Sequence, residues 1–395
     1  MTQTLQPVVN PFADLDIDRL HRRASSKWSY YPKDVLPLWV AEMDATLAPE
    51  ITTAVTDALA EGDTGYPWGH ACAEALAAFA TDRWAWTFDP AVTHDTSDVL
   101  SGIVDAIRVL APGDGPIVVT PPVYPPFYAI AETLGRAVVH ASLSSDGRLD
   151  PATLEAALIE AGGAATSGAQ PVVLLSNPHN PSGVVHTRDE LAEVARLARQ
   201  HGARVVSDEI HAPLMMPGVT FVPFLAVPDT GPDVAVLSAS KGWNLAGFKA
   251  AVVVPGADAA KTFAATPRRA GGHAGLIDLI AHGAAFTHAR PWLDAALAAI
   301  DVNRHALVEL LRDHLPAVRY TPPDSTYLAW IDCRALGLGD DPAAAFLERG
   351  RVALSSGIPF GDGGAGYVRL NLATSPAILA DAVARMASAL AAATA

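Results

Sequence analysis

The sequence predicts an α/β fold in which a large domain carries a mostly parallel central sheet and a smaller α+β domain follows. Short valine-rich apolar runs alternate with helix-patterned stretches from residue 92 to residue 254, the pattern of parallel strands buried on both faces. Beyond residue 290 this order gives way to a long helical stretch and then to strands of mixed polarity. That change marks a second unit. A chain of 395 residues has room for both.

Taken in order, residues 1–45 read as an arm that packs with the small domain, rich in proline and aromatics, extended over 35–41 and acidic at Glu42 and Asp44. The large domain is assigned to 46–285, and the small one, with its linking helix, to 286–395. Helical spacing over 49–61 is broken by the glycine and proline of residues 62–69, where Tyr66 and Trp68 suit either packing or binding. Ser101-Gly102 opens a helix. Strands are expected at 117–120, 137–140, 172–176, 204–207, 234–237 and 250–254, with helices at 150–160 and 187–200 and a flexible loop at 162–168. The second unit offers a helix at 291–314, strands at 327–332, 352–354 and 367–372, and helices at 342–349 and 376–393.

A net charge of −15 argues against nucleic acid or an anionic membrane as partner, because either would be repelled over most of the surface. Anionic ligands must be met by a local pocket. No stretch has the roughly 18 uninterrupted apolar residues of a membrane span. The first seven residues lack the basic patch and apolar core of an export signal, so the cytoplasm is expected. Cys72 and Cys333 lie far apart without a C-x-x-C pair, which suits buried apolar side chains in a reducing compartment.

In open α/β sheets ligands bind where strands end. After residue 175 comes Ser176-Asn177-Pro178-His179-Asn180-Pro181-Ser182-Gly183, and after 206 comes Ser207-Asp208-Glu209-Ile210-His211. After 237 comes Ser238-Ala239-Ser240-Lys241, with Lys249 eight positions on. Each has a plain explanation alone: an Asn-Pro turn, a helix cap or a metal cluster short of ligands, a loop lysine. Together they place an amide, a carboxylate and an amine at equivalent strand ends. A lysine beside small hydroxylated residues and a second cation suits Schiff-base chemistry, since desolvation and a neighbouring cation both lower an amine's pKa.

These motifs, in this order, resemble those of the fold-type I pyridoxal-phosphate enzymes of the aspartate aminotransferase superfamily. With Lys27-Trp28 and Leu38-Trp39-Val40-Ala41-Glu42-Met43-Asp44 they are most similar to the bacterial cysteine-S-conjugate (cystathionine) β-lyases of the MalY/PatB type. Ala45-Thr46-Leu47 departs from the aromatic usual after that aspartate, which bears on substrate preference. The resemblance implies pyridoxal 5′-phosphate bound to Lys241, which is also the base for the α-proton. It implies Asp208 at the ring nitrogen, Asn180 and His211 at the phenolic oxygen, and Tyr124 stacked on the ring. The phosphate is expected on the amides of Gly102 and Ile103, on Ser238, Ser240 and Lys249, and on Tyr66 from the other subunit of a homodimer. Arg369, with Val40, is expected to grip the α-carboxylate of an amino acid substrate. The implied reaction is β-elimination to a thiol, pyruvate and ammonia. An aminotransferase, and a regulatory protein that retains the cofactor, use the same residues and stay open; no metal is implied.

Overall fold

A computed structural model of the chain describes residues 10–13, 15–165, 168–266 and 273–391. The first seven residues read above for an export signal, and the last two of the expected terminal helix, lie outside them. The strands, in chain order, are β1 (Leu36–Pro37), β2 (His94–Thr96), β3 (Ile117–Val119), β4 (Val138–His140), β5 (Val172–Ser176), β6 (Arg204–Asp208), β7 (Val234–Leu237) and β8 (Ala251–Pro255). They continue with β9 (Arg319–Tyr320), β10 (Leu328–Asp332), β11 (Val352–Ala353), β12 (Ser355–Ser356) and β13 (Tyr367–Asn371).

Seven strands form the large sheet in the order β2-β8-β7-β6-β5-β3-β4, antiparallel only where β8 meets β7 and β2. β3, β5, β7 and β8 are buried at every position, as expected of strands covered on both faces. One cover is the helix Val99–Leu110, packed on β6, β7 and β8. On the opposite face Leu175, Val173 and Val205 pack with the helices Pro151–Ala164 and Arg188–Gln200. A full capping box, Thr187 with Glu190, starts the second of these. The helix Pro151–Ala164 runs through Gly162 and Gly163, which were expected in a loop; nothing crowds a side chain there, and Ala161 stays buried against the sheet.

The 25-residue helix Arg290–His314 leads to a four-stranded antiparallel sheet, β12-β13-β10-β9. The expected strand at 352–354 is shorter, ending at Ala353, and a separate strand follows it at 355–356. Val352–Ala353 pairs in parallel with Leu36–Pro37 of the arm, whereas Ser355–Ser356 joins β13. The arm is anchored further by an ion pair, Lys27 Nζ to Asp44 Oδ2 at 2.8 Å, with both side chains sealed from solvent. Trp28 Nε1 donates to the other oxygen of Asp44 at 2.8 Å. Among the described residues no helix is long and apolar enough to cross a membrane.

Candidate active site

The carboxyl ends of β3, β5, β6 and β7 open onto a cavity of about 650 Å³, closed from the other side by residues 39–41, by the helix Pro342–Gly350 and by β12 and β13. Lys241 stands in it four residues past the end of β7. Its Nζ donates to the carbonyl of Ala41 at 3.0 Å, and Tyr327 Oη donates to the same oxygen at 3.0 Å. Burial, then the charge of Arg369, lowers its pKa to about 8, against the opposing pull of Asp208. The segment that supplies Ala41 is held closely: Asn244 accepts from the Met43 N–H at 2.7 Å and donates to the Met43 carbonyl at 3.0 Å. Asn371 donates to the carbonyls of Val40 and Glu42. Val40 itself lines the cavity.

Asp208 is the last residue of β6, so the strand aims its carboxylate into the cavity. Burial raises its pKa to about 7, opposed by the N–H of Ile210 and by Lys241. A buried carboxylate at that value gains a full charge when a cationic N–H is set against it. His211 is neutral, its pKa lowered to about 3 by burial and then by Lys241 and Arg369, and its Nδ1 has no partner. Tyr124 lines the same cavity with a phenol pushed up mainly by burial.

Arg369, on β13, is 8% exposed, and burial lowers its pKa to about 10. It donates to Asn180 Oδ1 at 3.0 Å and lies 5.0 Å from the centre of the Phe360 ring, while its Nε has no partner. Its partners are neutral. A buried cation in that condition is matched to an incoming carboxylate.

One part of the expected anion cradle moves. Asp98 caps the helix Val99–Leu110, so Gly102 and Ile103 lie inside the first turns, and the Gly102 N–H is already spent on the Asp98 carbonyl at 3.0 Å. Gly102 serves packing instead: a Cβ there would stand 2.9 Å from Thr96 Cγ2 and 3.1 Å from Val236 Cγ1. Val99 and Leu100, the first residues of the helix, line the cavity, and their amides have no intrahelical acceptor. The signal was present in the sequence, an aspartate directly before an apolar run. Ser238 and Ser240 line the cavity, but the Ser238 hydroxyl donates to the Ala250 carbonyl at 2.8 Å and accepts the Ser240 N–H at 3.1 Å. Lys249 reaches Asp98 at 3.2 Å with more than half its side chain exposed. Two free amides, a hydroxyl and an ammonium make a donor set suited to a phosphate.

Tyr66 is elsewhere. It is 99% exposed, beside Trp68 at 98%, and lines a separate hollow with Cys72, Asp95 and His273. Sequence reasoning missed Tyr31, Ser355 and Asp341, which line the main cavity, and Asn371, which pins its wall. None of them sits in a motif.

Fold and site together define an α/β protein with a lysine-centred cavity at the carboxyl ends of its central strands, lined also by the cations Lys249 and Arg369. The chain belongs to the aminotransferase class I and II family, whose model matches residues 33–386. It is 47% identical over 396 aligned positions to a putative cystathionine β-lyase of Mycobacterium leprae, covering 96% of this chain and 98% of that one. It is 35% identical to the cystathionine β-lyase PatB of Bacillus subtilis, covering 90% and 93%. Among solved structures, a putative PLP-dependent β-cystathionase of Corynebacterium diphtheriae superposes with a TM-score of 0.89 at 33% identity, covering 96% and 98%.

Proposed function

We propose that the chain is a pyridoxal-phosphate-dependent carbon–sulfur β-lyase, which converts L-cystathionine or another cysteine S-conjugate and water to a thiol, pyruvate and ammonia. The observation that carries this is Lys241, a buried amine whose pKa is lowered to about 8, in the cavity that Asp208 and Arg369 also line. The names of the relatives support a lyase over an aminotransferase.

When bound, the cofactor supplies an electron sink for the pair released at the substrate α-carbon. Asp208 fits its ring nitrogen, Tyr124 its ring face, Asn180 and His211 its phenolic side. Val99, Leu100, Ser238, Ser240 and Lys249 fit its phosphate. Arg369, beside Val40, holds the substrate carboxylate and so fixes which bond at the α-carbon faces Lys241. The Lys241 amine takes the α-proton and, from the same position, returns a proton to the departing sulfur. Depressing its pKa keeps a useful share of the free base near neutrality. The same reading includes a homodimer in which the exposed Tyr66 reaches the partner's phosphate, and a cytoplasmic location without nucleic acid or membrane as partner.

The test is incubation of the holoenzyme with L-cystathionine and S-alkyl cysteines without any keto acid. Equal amounts of thiol, pyruvate and ammonia over many turnovers are expected. Turnover that stops after one equivalent and resumes when a keto acid is added would make it an aminotransferase.

A second expectation concerns cofactor capture by the cofactor-free protein. The nucleophile is the unprotonated amine of Lys241, whose pKa is lowered to about 8, so the capture rate should climb with pH up to that value and then level off. Stopped-flow absorbance measures it. A rate still climbing where an ordinary lysine titrates would contradict the lowered value.

A further inference from the structure

Ser355 lines the cavity and has no part in the reaction just described. It stands directly opposite Arg369 in the antiparallel pair of β12 and β13, so the register alone makes the two side chains neighbours on one face of the sheet. Arg369 Nη2 donates to Ser355 Oγ at 3.3 Å, and Ser355 Oγ donates in turn to the carbonyl of Trp39 at 2.5 Å.

A hydroxyl carries one proton and two lone pairs. The Trp39 carbonyl can only accept, so it takes the proton, and Ser355 turns a lone pair toward Arg369. A guanidinium, which can only donate, requires that arrangement. At the other terminal nitrogen, Nη1, Asn180 Oδ1 accepts at 3.0 Å, and the Phe360 ring lies over the guanidinium at 5.0 Å. Each terminal nitrogen keeps a second N–H, and the two together are the paired donors that a carboxylate takes.

The Trp39 carbonyl is itself a fixed point. From residue 39 to residue 43 each carbonyl is held by a side chain: Trp39 by Ser355, Val40 and Glu42 by Asn371, Ala41 by Lys241 and Tyr327, Met43 by Asn244. Ser355 therefore joins the guanidinium to a segment of backbone that is anchored along its length.

We propose that Ser355 is a positioning residue, which sets the guanidinium of Arg369 for the α-carboxylate of the substrate. Without its hydroxyl, Arg369 Nη2 loses its acceptor and the planar group can turn about the remaining bond to Asn180. The proposal rests on Arg369 as the carboxylate grip and not on which reaction follows.

The test uses the holoenzyme and two ligands, S-ethyl-α-methyl-L-cysteine and its carboxamide, which have no α-proton to lose and so are held without turnover by a lyase or an aminotransferase. Dissociation constants come from the absorbance change on binding. Ser355→Ala should weaken the carboxylate ligand about tenfold, the size of one charge-assisted hydrogen bond, and leave the carboxamide within about twofold. Ser355→Thr keeps the hydroxyl on a residue suited to a strand, and should bind both ligands within about threefold of wild type. Equal weakening of both ligands, wild-type affinity for the carboxylate in Ser355→Ala, or a threonine variant as weak as the alanine one overturns the proposal. A wild-type protein that binds neither ligand removes Arg369 as the grip and Ser355 with it. Failure of thiol release from cysteine S-conjugates would sink the lyase reading alone, because these affinities do not depend on it.

Discussion

Replacing Lys241 with alanine should lower turnover of cysteine S-conjugates by roughly four orders of magnitude, the upper range for loss of a positioned proton-transfer group. The fold should survive, because the Lys241 amine makes one hydrogen bond, to the Ala41 carbonyl, and Tyr327 still satisfies that oxygen. Residual activity within tenfold of wild type would remove Lys241 from the chemistry. The same variant tests the proposal that the site is shared between subunits. Tyr66→Ala and Lys241→Ala are each expected to be inactive or nearly so. If Tyr66 serves the partner's cavity, subunits exchanged between the two make one intact site per mixed dimer, and recovery should reach at most about a quarter of wild type. No recovery under conditions where exchange is demonstrated would assign Tyr66 to another role.

The largest effect on stability is expected at Asp44. Alanine there leaves the ammonium of Lys27, which is fully sealed from solvent, without its counter-ion at 2.8 Å. Breaking a buried pair from one side costs about 3–5 kcal/mol. Trp28 Nε1 loses its acceptor at the same time. Urea denaturation should show the loss as a lower midpoint. Lys27→Met combined with Asp44→Leu should recover most of it, because the penalty comes from the unpaired charge and not from the absence of the pair. A single Asp44→Ala variant as stable as wild type would mean that water reaches Lys27.

The site was legible where chemistry follows directly on an apolar run. Asp208 ends β6, and Asn180 and Lys241 lie a few residues past β5 and β7, so knowing the strands was enough to find them. The Gly102 amide was expected to meet a phosphate because a glycine in a Ser-Gly pair suggests backbone approaching a ligand, but it is bonded to the Asp98 carbonyl. Gly102 instead lets its helix approach the sheet. The division of residues 352–356 between β11 and β12 depends on the arm returning to pair with β11, a contact between segments over 300 positions apart that no local pattern encodes. Asp341 was invisible for another reason: an aspartate before a proline-started helix reads as a cap, and only coordinates show that it caps nothing.

The oxygen that Lys241 and Tyr327 share belongs to the backbone of residue 41. Saturation mutagenesis at that codon therefore samples the methyl group lining the cavity and leaves the acceptor untouched, so a tolerant profile would understate the position. The informative perturbation is chemical: an ester in place of the 41–42 amide, introduced by semisynthesis, keeps every side chain and weakens only that oxygen as an acceptor. Genetic scans would register the contact indirectly, as sensitivity at Asn244 and Asn371, whose side chains hold the flanking carbonyls in place.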